Sequence, residues 1–502
     1  MASASLPQDP SVDQLRRRAR ELQRAARNGD EAARRRVQQS HPDAPDAATL
    51  PLTGAQLVVA REHGFASWAR LRRYVQIVTT RSWTPGQPPR DDEPVADRFL
   101  RLACLTYSDG NRADTEAAER LLDAHPQIVH ENVMVAAACA DVPAVRQHLT
   151  ANPSAGTITG GPHGWSPLLY QAYARHNPSV GREATLETAR ALLAAGADPN
   201  DGRFWHALPT PFTVLTGVLG HGERNEASHV HAIPFARVLL DAGADPNDGQ
   251  VLYNRMFGTN DDHLVLLFEY GLGTDTHGPW HRLLNESLDS PRVMLRKLLH
   301  WAVAHDQQAR VALLAAHGVD VVTRFTDIGE GYTPVETALV NGHRELAEQL
   351  RRLGARPARL TVEDTFVADV LAGDAGATRL VPVGVVDHVR RTRTGLMTWA
   401  ASQGAPNTIE VLASLGFDVN AYGRSDISSN DPWHTALHVA AQHGDVVLAR
   451  TLLDLGADPR LRDKHYNGTP LGWARYFEQS ALVEMLEPLT PEPPADSEDR
   501  RT

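Results

Sequence analysis

Cysteine, lysine and long apolar runs are what this sequence has least of. Its 502 residues hold two cysteines, Cys104 and Cys139. Two thiols exclude a disulfide framework. Both sit in apolar helical stretches, so buried, unreactive thiols in a reducing compartment are expected. Among 50 basic residues only Lys297 and Lys464 are lysine. The arginine excess is read as codon usage and carries no chemistry. No stretch approaches the roughly 18 apolar residues of a membrane-spanning helix, and the first residues lack the apolar core of an export signal, so a cytoplasmic setting is expected. The net charge of −11 argues against a surface that grips nucleic acid or anionic lipid throughout. There is no G-x-S-x-G, P-loop, G-x-G-x-x-G or C-x-x-C, so no catalytic residue is assigned.

What the sequence does have is repetition. Leu192-Leu193-Ala194-Ala195-Gly196-Ala197-Asp198-Pro199-Asn200 returns at Leu239–Asn247 and again at Leu452–Pro459, with weaker copies ending at Asp320, Ala355 and Asn420. A second string opens each unit: Trp165-Ser166-Pro167-Leu168, Tyr332-Thr333-Pro334-Val335, His434-Thr435-Ala436-Leu437 and Gly468-Thr469-Pro470-Leu471. In the second string the hydroxyl residue caps a helix, proline fits its first turn and leucine begins the apolar stripe. In the first, a second helix ends in Leu-Leu, glycine takes the left-handed C′ position, and Asp-Pro-Asn turns into the next unit. One such unit cannot bury its apolar face alone, whereas a stack can.

These strings resemble the ankyrin repeat. The best copy is Thr435-Ala436-Leu437-His438-Val439-Ala440-Ala441-Gln442-His443-Gly444-Asp445, followed by Val446–Pro459. The resemblance implies an all-α solenoid of nine to eleven units over 97–488, several degenerate. It also implies a structural role for His438 and a surface that binds other proteins. Spacing departs from the family period of about 33 residues. Gly196 to Gly243 and Gly271 to Gly318 are each 47 residues, and Gly243 to Gly271 is 28. Insertions at 175–186 and 220–233 account for part of this. Both fall between the two helices of successive units, so stacking should bring them side by side.

Outside the array, residues 1–10 read as disordered and 11–78 as a small helical module. The helices are expected over Leu15–Ala26, Glu31–Gln39, Ala55–His63 (capped by Thr53) and Trp68–Val78 (capped by Ser67). The run Leu57–Trp68 is similar to a module found ahead of repeats in bacterial ankyrin-repeat proteins. Residues 79–96 read as a Pro-rich linker and 489–502 as a disordered tail. Nine arginines against three acids lie between Leu15 and Arg36. With no interleaved aromatics, they are read as the solvated face of an amphipathic helix, and a nucleic-acid partner is not expected.

The leading function is a non-catalytic scaffold that recognises a protein through a concave, finger-lined face. The fingers are the turns between units. Aromatics with adjacent arginines are the side chains that dominate binding hot spots. Arg203, Phe204, Trp205, Tyr253, Arg255, Trp280, Arg282, Tyr422 and Trp433 are therefore the candidate contact residues, and Tyr332, Arg424 and Tyr466 lie on similar turns. No cofactor is expected under this reading. The alternative is a metal-dependent or small-molecule enzyme where the two insertions meet. There His221, His229 and His231, with Glu223 and Glu226 beside them, would hold zinc or a similar divalent ion. His434 with His438, and His277 with His281, are looser pairs.

Overall fold

The computed structural model describes residues 6, 10–43, 45–83, 92–107, 114–205, 210–223, 225–274, 278–284, 288–373, 381–382, 384–404, 406–424 and 432–490. These divide into two compact units, Met1–Leu295 and Arg296–Thr502. The fold is all-α, built of stacked helix pairs, and no helix among the described residues is long and apolar enough to cross a membrane.

The first unit opens with four helices, Val12–Arg27, Glu31–Ser40, Leu52–Glu62 and Trp68–Arg81. Ser11, Asp30 and Ser67 cap three of them, each accepting from a backbone N–H three residues on. The third starts at Leu52 behind Pro51, which places Thr53 inside the first turn rather than at the cap. Leu15, Ala19, Leu22 and Ala26 form the buried stripe of the first helix. Some of the arginines on its flanks have structural partners. Arg16 pairs with Asp13 at 2.8 Å, and Arg27 Nε donates to Leu50 O at 2.9 Å.

The stretch expected as a linker is narrower than 79–96. The fourth helix runs through Arg81, a strand β1 takes Ser82–Trp83, and a new helix covers Val95–Ala103. From there the unit stacks helix pairs. They are Val133–Ala138 with Val142–Ala151, Pro167–Tyr173 with Arg182–Ala194, Val214–Leu219 with Ala232–Asp241, and Gly249–Met256 with Asp262–Glu269. First helices pack on first helices and second on second, as a shared core requires.

The second unit repeats the plan with Pro334–Val340 and Arg344–Arg352, Val362–Leu371 and Val385–Thr392, Leu396–Ser402 and Pro406–Ser414, Ala436–His443 and Val446–Asp454, and Pro470–Tyr476 and Ser480–Leu486. Thr333 and Glu336 form a reciprocal capping box, at 3.2 and 2.9 Å. Leu412, Leu437, Val439, Leu448, Leu452, Leu471 and Leu482 belong to one continuous buried cluster.

The Gly-Ala-Asp-Pro-Asn string has a physical cause at each end. Gly196, Gly243 and Gly456 have φ of +92°, +94° and +92°, a region that penalises any Cβ. The closing asparagine stitches one unit to the next. Asn200 Nδ2 donates to Gly243 O at 2.9 Å while its Oδ1 accepts from Asp245 N at 2.8 Å. Asn420 makes the same pair of bonds to Gly456 O and Asp458 N, at 3.2 and 2.8 Å. A side-chain amide is needed because both a donor and an acceptor are used.

Among the described residues three short strands depart from the all-helical plan, and they lie in the first unit. β2 (Gly202–Trp205) and β3 (Pro211–Thr213) form an antiparallel finger, and β1 adds to β2 in parallel, with Ser82 opposite Phe204 and Trp83 opposite Trp205.

Candidate functional site

In the first unit the expected contact residues are largely consumed by the chain itself. Phe204 is fully buried and Trp280 is 7% exposed. Both belong to the core of the N-terminal helical module, with Leu71, Val75 and Val78 among their cluster mates. Their rings meet edge to face at 5.4 Å, and Arg81 lies over the Trp280 ring at 5.2 Å. The indole N–H of Trp280 donates to Asn200 O at 2.9 Å. These two residues are therefore corrected from partner anchors to intramolecular ones. A large apolar ring gains more from permanent burial against a preceding helix than from exposure to water.

Arg203 is held by Asp201 at 2.6 Å and by the carbonyl of Gly164 at 3.1 Å, and Trp205 is half-buried beside Trp83 in the strand pairing. Arg255 is buried and clamps the second insertion, donating to Leu219 O and Ser228 Oγ. It too is corrected to a structural residue. Tyr253 stays 45% exposed and donates to Glu223, and Arg282 is exposed.

The two insertions do touch. Arg175 Nε donates to Ala227 O at 2.7 Å and its Nη2 to Gly217 O at 2.6 Å, while the His231 ring Nε2 lies 2.7 Å from Val180 O. Their meeting does not assemble a metal centre. Among the described residues no group of three or more His, Cys, Asp or Glu side chains is placed to hold an ion. His229 is buried edge-on against Phe235, and its Nδ1 accepts from His231 N at 3.1 Å. Burial, with Arg175 and His231 nearby, drives its pKa down to about 3. His221 lies elsewhere in the loop, in a left-handed backbone conformation with φ +59°. The expected trio His221, His229 and His231 is thus corrected. Each of the last two rings spends a nitrogen on loop backbone instead of converging on an ion.

His281 faces Asp289 O at 2.9 Å, and His277 lies outside the described residues. Burial pushes the Cys139 thiol up to about 12 and the Cys104 thiol higher still, which leaves neither as a nucleophile.

In the second unit the fingers are built differently. Gly423 pairs with His434 in an antiparallel bridge, with Gly423 N to His434 O at 2.8 Å. A Cβ at Gly423 would lie 2.6 Å from Thr398 Cβ and 2.8 Å from Gly395 O, so only glycine permits this close approach. The next finger, 460–468, is organised around Asp463. Its carboxylate accepts from the backbone N–H groups of His465 (2.9 Å), Tyr466 (2.5 Å) and Gly468 (2.8 Å) and from the indole of Trp473 (3.0 Å). Burial alone would raise its pKa, but these four donors outweigh burial and hold it below the ordinary carboxylate value.

That organised turn presents a ledge of rings. Trp433 stacks on His465 at 4.6 Å and 8° between planes, and Tyr466 meets Trp433 edge to face at 5.8 Å. Tyr466 is 72% exposed. Tyr422 Oη donates to Arg462 O at 2.8 Å, and Lys464 Nζ lies 4.5 Å from the Tyr422 ring centre. Tyr422 and Trp433 were legible as finger aromatics. Arg462, Lys464 and His465 were missed. Their signal was present in Arg462-Asp463-Lys464-His465-Tyr466, a charged and aromatic string occupying the finger of the next unit.

Beneath the ledge lie His434 and His438. His438 Nδ1 accepts from Thr435, 2.9 Å from its hydroxyl, and Nε2 faces Gly468 O at 3.1 Å, so this imidazole ties one unit's helix start to the next finger. With both nitrogens engaged it has no lone pair for a metal, and the pair is corrected to a structural one. Burial lowers the pKa of His434 to about 3 and of His438 to about 4. Both are below the unfolded value, so the unfolded chain binds the extra protons. Stability supported by the neutral rings is full above about pH 6.5 and declines as pH falls from there toward 3–4, by about 1.4 kcal/mol per pH unit for each ring. His434→Phe is expected to shallow this decline in urea titrations run between pH 7 and 4.5. An unchanged slope would show that other groups govern it.

Comparison with known proteins bears on the same region. The family model described as Ankyrin repeats (3 copies) matches residues 371–463. A 95-residue stretch is 37% identical to the E3 ubiquitin-protein ligase Ufd4 of Drosophila melanogaster, covering 19% of this chain and 3% of that protein. The chain therefore spans a small fraction of that relative's length.

Proposed function

We propose that this chain is a cytosolic protein-binding scaffold. Its contact surface is the finger ledge of the second unit, formed by Tyr422, Trp433, His465 and Tyr466. The single observation that carries the reading is Tyr466. A tyrosine 72% exposed stands on a stacked Trp433–His465 pair, over a turn held by four hydrogen bonds to one buried carboxylate. An aromatic ring raised from a rigid turn offers contact area without the entropy cost of ordering a loop. The ankyrin-repeat match ends at 463 and takes in Tyr422 and Trp433, which supports the same surface class.

The test is affinity purification of the tagged full chain from its host beside a Tyr466→Ala variant, followed by titration calorimetry with the recovered protein. Because Tyr466 is exposed, the variant is expected to melt with the native chain yet bind at least tenfold more weakly. Equal affinity with an unchanged melt would reject the ledge as the contact surface.

A further inference from the structure

The chemistry of the ledge also specifies its partner, if the scaffold reading above holds. The acidic groups of the 458–468 finger are already spent. Asp463 is buried under four donors, and Asp458 pairs with Arg460 at 2.9 Å. The two remaining cations are held by neutral groups. Arg462 Nη1 donates to Asn467 O at 2.7 Å, and Lys464 Nζ donates to Pro432 O at 2.9 Å while lying over the Tyr422 ring. Among the described residues, neither has a carboxylate within ion-pair distance. Both are exposed and precede Tyr466 on the same turn.

A carbonyl or a ring fixes the position of a cation without cancelling its charge. Among the described residues, two such fixed cations beside exposed aromatics form a site short of negative charge. The rest of the chain carries an acidic excess, −11 overall, so this is a local reversal of sign.

We infer that the ledge receives an acidic segment of a partner protein. Carboxylates on that segment face Arg462 and Lys464, and an apolar or aromatic residue between them packs on Tyr466 and Trp433. Arg462 would grip a carboxylate through its planar fork and Lys464 as a point charge. The inference deepens the scaffold reading and rests on it.

The experiment is selection of a random twelve-residue peptide library on the immobilised full chain. Anisotropy titrations of the enriched peptides then compare the native chain with the Arg462→Glu/Lys464→Glu double variant. The expected result is enrichment of Asp and Glu around a central apolar residue. Affinity should fall tenfold or more in the double variant and weaken between 50 and 300 mM salt. Neutral or basic winners, winners indifferent to the charge reversal, or no winners would overturn it. A single-stranded oligonucleotide that binds the native chain and not the variant would overturn it in favour of nucleic acid. The two readings separate cleanly. If Tyr466→Ala abolishes capture of the natural partner while charge reversal leaves capture intact, the scaffold stands and the acidic segment falls.

Discussion

Arg296→Ala is expected to destabilise the second unit by roughly 2–4 kcal/mol, the cost of deleting a buried side chain that fills space and donates to one turn. The guanidinium is 1% exposed. It donates to the carbonyls of Asp320, Thr323 (2.9 Å) and Arg324 (2.8 Å), reaches Asp327 Oδ2 at 3.3 Å, and lies 4.3 Å from the centre of the Phe325 ring. Alanine takes the donor from three carbonyls of the 320–324 turn and opens a void beside the buried Phe325 ring. No single replacement restores the fork, so Arg296→Lys should recover only part of the loss. Chemical denaturation monitored by tryptophan fluorescence reads the outcome. A midpoint shift below the equivalent of 1 kcal/mol would mean that the 320–327 turn closes without its arginine.

The second large effect is expected at the aromatic pair beneath the N-terminal module. Phe204→Ala and Trp280→Ala each delete a buried ring, at a typical cost of about 3–5 kcal/mol. Together they remove the two aromatic contributions of the array to the module's core. The strand pairing left behind covers only Ser82 and Trp83. Amides of the Trp68–Arg81 helix and of β1 should lose hydrogen-exchange protection by two orders of magnitude or more. Those of Pro334–Val340 and Ala436–His443, in the other unit, should keep theirs. Unaltered protection in the module would show that its own four-helix core suffices to hold it.

Much of this protein was legible from local chemistry. The helix starts at Ser166, Thr333 and Thr469 follow from a capping hydroxyl placed before proline. Gly196, Gly243 and Gly456 announced their left-handed turns, and the module's apolar stripe lay in the periodicity of Leu15, Ala19, Leu22 and Ala26. These rules act over three or four residues, which is why a single sequence carries them. The inter-unit role of Asn200 and Asn420 was half visible. The turns Asp198-Pro199-Asn200 and Asp418-Val419-Asn420 were evident, but their partners 43 and 36 residues on were not.

The candidate site was less legible because exposure is a property of the whole fold. Phe204, Trp280 and Tyr466 looked alike, each an aromatic on a turn between repeats. Phe204 and Trp280 are covered by a module whose nearest described residue is more than a hundred positions away, whereas Tyr466 is 72% exposed. His229 and His231 looked like ligands until the loop placed their nitrogens against backbone. Arg255 was expected among the contact residues, yet it is buried as a clamp, whereas Arg462, which was not singled out, stands on the surface.

The sequence by itself determined the repeat, its caps, its turns and the helical module, since each is set by neighbours in the chain. Only the tertiary structure decided which rings are core and which are surface, and which cations keep their charge uncancelled. Burial and ion pairing depend on residues brought together from far along the chain, and no local rule encodes them.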